Sequence, residues 1–90
     1  MISHTSERFR KLFSELPKNI RKQAREAYKQ FIKDPYYMPL HFKRVHSTKP
    51  IYSVRINIEY RALGLLDNGE IIWFWIGSHE EYEKLLSQRR

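Results

Sequence analysis

Glu70-Ile71-Ile72-Trp73-Phe74-Trp75-Ile76-Gly77-Ser78-His79-Glu80-Glu81-Tyr82 is the stretch on which the fold turns. Ile71 to Ile76 are six consecutive apolar residues, rich in β-branched and aromatic types. A run of that length and composition suits a strand buried on both faces better than a helix. Simple alternation puts Trp73 and Trp75 on one face of it, where core packing is the default. Gly77 breaks the run, and Ser78 with Glu81 three positions later reads as a capping box. A central strand therefore passes directly into a last helix, Ser78 to Gln88, with Tyr82, Leu85 and Leu86 on its apolar side. His79 falls in the first turn of that helix, with Tyr82 one turn further along the same face. A titratable ring held at an element junction beside a phenol is the sharpest functional signal in the chain.

Working back from the central strand, Asp67-Asn68-Gly69 is a two-residue hairpin signal between apolar runs. It makes the strand Tyr60 to Leu66 an antiparallel neighbour of the Trp73 strand. Asn57-Ile58-Glu59 reads as a bend. Before it, Tyr52, Val54, Ile56 and Ile58 point one way, and Ser53, Arg55, Asn57 and Glu59 the other. A turn at Ser47-Thr48-Lys49-Pro50 links this strand to Leu40-His41-Phe42-Lys43-Arg44-Val45, which alternates as another strand.

The first third reads as helical. Phe9, Leu12, Phe13 and Leu16 fall at i, i+3, i+4, i+7, and Pro17 makes the corner. From Lys18 to Lys33, Ile20, Ala24, Ala27, Tyr28, Phe31 and Ile32 make one face, and Lys18, Arg21, Lys22, Arg25, Lys29 and Lys33 the opposite one. Asp34-Pro35 stops the helix, because a residue before proline is pushed out of the α region. Met1 to Thr5 shows no clear alternation, so whether it forms a strand stays open; Gln88-Arg89-Arg90 is expected to fray. The expected architecture is α+β. Two N-terminal helices pack on one face of a twisted antiparallel sheet of about four strands, a short helix ends the chain, and the other sheet face stays open.

Ninety residues make a single domain, 1–90, with one modest core. No cysteine means no disulfide framework, thiolate metal site or thiol nucleophile. The polar, charged start resembles no signal peptide, and no apolar run approaches the ~20 residues of a membrane span. A soluble, cytoplasmic protein that meets no membrane is expected. The net charge of +7 favours an acidic partner, nucleic acid or an acidic protein segment. His4, His41 and His46 show no metal-ligand spacing, so no metal and no cofactor are expected, and there is no Gly-rich phosphate loop.

On the expected open face, Arg55 stands with Lys43, and Arg61 joins them if the bend shifts the side-chain phase, since a one-residue slip swaps faces. His79 and Tyr82 lie at the end of the next strand. Such a group suits metal-free RNA cleavage, which needs a base for the 2′-hydroxyl proton, cations on the attacked phosphate and an acid for the leaving oxygen. Plainer readings stand beside this one. His79 also fits a surface or capping residue. Arg55 and Arg61 also fit cross-strand pairing with Glu59 or Glu70, and Tyr82 also fits the rim of the core. The basic stripe of the second helix also fits a solvated face.

The ordered set of segments resembles the RelE/ParE superfamily of bacterial type II toxins, in particular its RelE-like translational-repressor branch. The resemblance runs from about Phe9 to Leu86. It rests on Leu16-Pro17 with the basic helix to Asp34-Pro35, on Leu40-His41-Phe42-Lys43, Tyr52-Ser53-Val54-Arg55-Ile56 and Glu59-Tyr60-Arg61-Ala62, and on Trp73 to Tyr82. It implies a ribosome-dependent endoribonuclease, an mRNA interferase that inhibits translation without a metal, and a cognate antitoxin that neutralises it. The partners implied are therefore that antitoxin, the ribosome and mRNA. Carried over by position, the catalytic candidates are Arg55, Arg61, His79 and Tyr82. Lys43, with Arg44 and His41 beside it, makes the candidate RNA-binding group. Ser53 stands where some RelE-like members place a second strand lysine, which thins the charge cluster. The alternatives are a ParE-like gyrase inhibitor and a non-catalytic RNA- or antitoxin-binding module on the same fold.

Overall fold

In the computed structural model, which describes residues 1–87, the apolar run does form the central strand. It lies in β5 (Glu70–Ser78), antiparallel to β4 (Tyr60–Asp67) on one side and parallel to β1 (Ile2–Thr5) on the other. With β3 (Ile51–Arg55) and β2 (Lys43–Arg44), the sheet order is β1-β5-β4-β3-β2. The expectation of about four antiparallel strands is thus corrected to five strands in a mixed sheet. The reason lies in β1. Its core-side residue Ser3 is small and polar, and its hydroxyl accepts a hydrogen bond from Trp73 Nε1 at 3.0 Å, so the strand carries no apolar alternation to read. The expected fraying of Gln88 to Arg90 lies outside the described residues.

β5 has to furnish apolar side chains to both faces of the sheet, and one irregularity lets it do so. Leu63 pairs with Trp75 and Gly64 with Trp73, leaving Phe74 as the extra residue of a β-bulge. The bulge reverses the alternation. Ile71, Trp73 and Ile76 join Ala24, Ala27, Phe31, Val54 and Ala62 in one cluster, whereas Trp75 joins Ile51, Leu63 and Tyr82 in another. Trp73 and Trp75 therefore serve opposite faces, which corrects the shared face that plain alternation predicts. Gly77 does not end the strand, which runs to Ser78.

α1 (Glu7–Ser14) is capped by Ser6, whose hydroxyl accepts from Phe9 N–H at 3.1 Å. α2 (Lys18–Lys33) has the predicted bounds and buries Ile20, Ala24, Ala27 and Phe31. Tyr28 and Ile32, read as part of that face, are exposed. Each follows a buried residue and is rotated about 100° away from the sheet. The Leu40–Val45 strand shrinks to Lys43–Arg44, because Leu40 closes a single 3-10 turn (Met38–Leu40) and His41 adopts a left-handed φ of 47°. At the β4–β5 hairpin, Asn68 (φ 50°) and Gly69 (φ 79°) form the tight turn their identities predict.

α3 (His79–Ser87) starts with no intervening loop. Ser78 and Glu81 form the reciprocal capping box, Ser78 N–H donating to Glu81 Oε1 at 3.2 Å and Glu81 N–H to Ser78 Oγ at 3.2 Å. The helix lays Tyr82, Leu85 and Leu86 over Ile51, Leu63 and Trp75. The second sheet face is thus partly covered, not open, and helices lie on both sides of the sheet. No helix among the described residues is long and apolar enough to cross a membrane.

Phe31 is the hinge of the first cluster, 1 % exposed and edge-on to both Phe42 (5.1 Å) and Trp73 (5.2 Å). Phe31→Ala is expected to cost about 3–5 kcal/mol of unfolding free energy in urea titrations. Ile32→Ala, at the next position on the exposed side, is expected to change it by less than about 0.5 kcal/mol.

Candidate functional site

The free part of the second sheet face lies where β3 ends and β4 begins. Arg55 and Arg61 are direct cross-strand partners there and share that face, so the bend does place both guanidinium groups together. Gly77 lies opposite Arg61 on β5. A Cβ at Gly77 would stand 2.6 Å from the Trp75 ring and 3.2 Å from Glu81 Oε1, so only glycine leaves room for the Trp75 ring against the strand. Lys43 pairs with Ser53, two residues before Arg55, and therefore belongs to the same face. Arg44 pairs with Tyr52 on the other face, and its Nε donates to the His46 carbonyl at 3.0 Å. His41 is exposed at the end of the 3-10 turn. Register thus brings Lys43 to the arginines and turns Arg44 away. Ser53 is buried, 3 % exposed.

The bend that joins the two strands is built on Asn57. Its Oδ1 accepts from Glu59 N–H (2.8 Å) and Tyr60 N–H (2.9 Å), an Asx-type closure of the loop. Its Nδ2 donates to Gln23 Oε1 of α2, tying the loop to the helix. Its carbonyl accepts from Arg61 Nη1 at 2.6 Å, and the Tyr60 carbonyl accepts from the same nitrogen at 3.0 Å. Glu59 supplies a third anchor, its carbonyl accepting the backbone N–H of His79. One short loop therefore fixes Arg61 and the start of α3 together.

His79 stacks on Tyr82 with ring centroids 5.7 Å apart and planes inclined at 25°. Its Nε2 lies 3.4 Å from Glu83 Oε1, one helical turn on, as an exposed i,i+4 pair. The His79 side chain is 47 % exposed, whereas Tyr82 is 6 % exposed and belongs to the core. The four catalytic candidates thus divide into two half-buried arginines on the sheet, one exposed histidine, and a tyrosine that forms the wall behind it.

Among the described residues, neither Arg55 nor Arg61 has an ion-pair partner; Glu59 and Glu70, the carboxylates that cross-strand pairing offered them, are not in contact with either. Burial and, next, the Arg55 guanidinium lower the Arg61 pKa from the ordinary arginine value, while Tyr82 and Glu83 pull it back up. Arginine stays protonated at any physiological pH, so the shift reflects burial first and the neighbouring guanidinium second, with no titration implied. Two cations opposite each other, one pinned to carbonyls and neither in a direct ion pair, have the chemistry to hold an anion. No group of three or more His, Asp or Glu side chains among the described residues could hold a metal ion.

The sequence reading missed two members of this arrangement. Glu83 was legible as the i+4 carboxylate of His79. Asn57 was partly legible, since asparagine two residues before the end of a bend is a common side-chain cap.

A family model described as a ParE-like toxin domain matches residues 18–84. No curated protein matches the chain in sequence. Among solved structures, the chain is similar to one in the RelB-RelE antitoxin-toxin complex from Methanococcus jannaschii, with TM-score 0.73 and 16 % identity over 91 % of this chain and 96 % of that one. It is similar to YafQ from E. coli strain BL21(DE3), with TM-score 0.70 and 12 % identity over 89 % and 94 % of the two chains. It is also similar to the isolated E. coli RelE toxin, with TM-score 0.66 and 14 % identity over 97 % and 96 %. At these identities the structural likeness speaks for the fold.

Asn57→Ala removes the acceptor for two backbone N–H groups and is expected to lower stability by about 1–2 kcal/mol in urea denaturation. Asn57→Asp keeps that acceptor and is expected to recover most of the loss.

Proposed function

The chain belongs to the ParE-like toxin domain family, within the RelE/ParE superfamily, and from that premise and the arginine pair we propose that it is the toxin of a type II toxin-antitoxin system that cleaves mRNA on the ribosome. The observation that carries the chemistry is the cross-strand Arg55–Arg61 pair, which sets two guanidinium groups on one face, with Arg61 opposite Gly77, two residues before His79.

In the proposed reaction the 2′-oxygen of the RNA bonds to the adjacent phosphorus as the P–O5′ bond breaks. The products are a 2′,3′-cyclic phosphate and a 5′-hydroxyl. Arg55 and Arg61 hold the non-bridging oxygens as charge builds on them, which is where preorganised donors act most strongly. His79 carries one of the two proton transfers, either from the 2′-hydroxyl or to the leaving oxygen, with the Glu83 carboxylate one helical turn away. Tyr82 holds the imidazole plane, and Lys43 extends the cationic face toward β2. Nothing in this scheme draws on a cofactor.

The antitoxin partner is proposed because the similar RelE chain from Methanococcus jannaschii was solved bound to its antitoxin RelB. A cavity of about 640 Å³ between α1, α2 and the first sheet face supports it. The floor includes Phe9, Phe13, Ile56 and Trp73, and the charged residues around it, Arg10, Arg25 and Lys29, are all basic. An amphipathic segment with large apolar residues and carboxylates complements both features. A cytoplasmic location follows from the proposed ribosomal target.

The ParE-like family match favours a second reading, a gyrase-directed inhibitor on the same fold. Primer extension on translating ribosomes separates the two. The wild type is expected to create new 5′ ends, with Arg61→Ala slower by about 10²–10³-fold and His79→Ala by about 10²–10⁴-fold. Equal cleavage by the wild type and the Arg61→Ala/His79→Ala double variant sinks the site assignment. No new ends together with inhibited supercoiling moves the chain to the gyrase reading.

A further inference from the structure

Arg55 is the last residue of β3, at the edge between the two sheet faces. It also lines a second cleft, of about 400 Å³, bounded by α2, the 3-10 turn and β3. That volume is within the range of about 300–1,000 Å³ common for small-ligand pockets. Lys29 and Lys33 line it from α2, and Tyr37 enters from the loop before the 3-10 turn. Tyr37 is 44 % exposed, and among the described residues its ring packs on no other aromatic side chain. Its neighbour Tyr36 differs in being packed edge-on to Phe42 at 5.7 Å.

The cleft holds three cations against one carboxylate, Glu26, and it also holds the amide of Gln30. An acidic peptide would use the cations only and would leave the aromatic face and the amide idle. A nucleotide uses all three: phosphate on the lysines, base on the phenol ring, base edge on the amide, which offers both a donor and an acceptor. The cleft is linked to the arginine pair in two ways. Arg55 belongs to both, and Gln23 on the cleft wall accepts the hydrogen bond of Asn57, whose carbonyl holds Arg61.

We propose that this cleft is a nucleotide subsite, in which Tyr37 stacks a base and Lys29 and Lys33 hold the phosphate of single-stranded RNA beside the Arg55–Arg61 pair. The strand would leave the scissile phosphate at Arg55 and continue across the end of β3 onto α2. The register relative to the scissile bond rests on the ribonuclease reading above; the binding itself does not. The subsite gives the basic stripe of α2 a specific task at its C-terminal end, distinct from a merely solvated face.

The test uses the full chain and a short fluorescein-labelled 2′-O-methyl oligoribonucleotide, which cannot undergo 2′-oxygen attack. Fluorescence anisotropy is recorded over a range of salt concentrations. Tyr37→Ala is expected to weaken binding by about 5- to 150-fold, and Tyr37→Trp to preserve it. Lys29→Ala with Lys33→Ala is expected to flatten the slope of log Kobs against log salt by about 1.4, two single-strand phosphate contacts. All these side chains are exposed, and thermal melts matching the wild type verify folding. Unchanged affinity and slope in the Tyr37→Ala and double-lysine variants overturn the subsite. So does an equal loss of binding to a poly-glutamate peptide, which would make the cleft a site for acidic chains. Primer extension run alongside keeps the two ideas apart. Wild-type cleavage with unaltered RNA binding by the variants removes the subsite alone, and absent wild-type cleavage with the expected binding losses removes the nuclease reading alone.

Discussion

The demand that a single strand feed two cores shapes this molecule. β5 is paired on both edges and covered on both faces, by α2 on one and α3 on the other. A regular strand alternates strictly, so two tryptophans two residues apart would crowd one face and leave the other thin. The bulge at Phe74 resolves this by inserting one unpaired residue, which sends Trp73 to Phe31 and Trp75 to Tyr82. Register downstream of the bulge then follows: Ile76 returns to the first face, Gly77 falls opposite Arg61, and Ser78 arrives positioned to cap α3. Removing the extra residue would shift every later side chain of β5 to the other face, and the helix start with it.

A second constraint is local and sits in the loop between β3 and β4. The Asn57 side chain closes the bend, ties it to Gln23 on α2, and leaves its carbonyl for Arg61. The Glu59 carbonyl takes the first N–H of α3. Pinning an arginine by backbone carbonyls costs little specificity in charge, since carbonyls satisfy its donors without neutralising it. That is why Arg61 can be ordered and still remain available to an anion. A carboxylate in the same place would order it equally well and cancel the charge.

The parts of this fold legible in the sequence are those set by neighbours along the chain. The capping box Ser78/Glu81, the Asn68-Gly69 turn and the bounds of α2 all follow from short-range chemistry, and all stand as read. The parts not legible depend on which strand lies beside which. β1 has no apolar alternation of its own and becomes a strand by pairing with β5. The bulge leaves no mark within Ile71–Ile76, because every residue there is apolar and either phase looks the same. The site divides the same way. Arg55 has its phase from the alternation of its strand, and the i+4 spacing of His79 and Glu83 stands in plain view. The face of Arg61 was conditional on the bend, and the separation of Arg44 from Lys43 depended on the register of a two-residue strand.

The proposed chemistry asks unequal things of its two halves. Charge stabilisation by Arg55 and Arg61 is built on paired strands, with donors fixed before any anion arrives, which is the form of catalysis least dependent on motion. Proton transfer falls to a histidine nearly half exposed, on the first turn of a short helix, with a carboxylate for company. Water competes at such a position, and the strength of every interaction there rises when the water is excluded. This small domain has no lid or wall over α3 among its described residues to do that. In the proposed reaction the missing wall is the surface on which the toxin docks. On the proposed reading, arginines fixed in advance beside an exposed histidine make a site that works best against a large partner, which is the physical argument for including the ribosome in that reading.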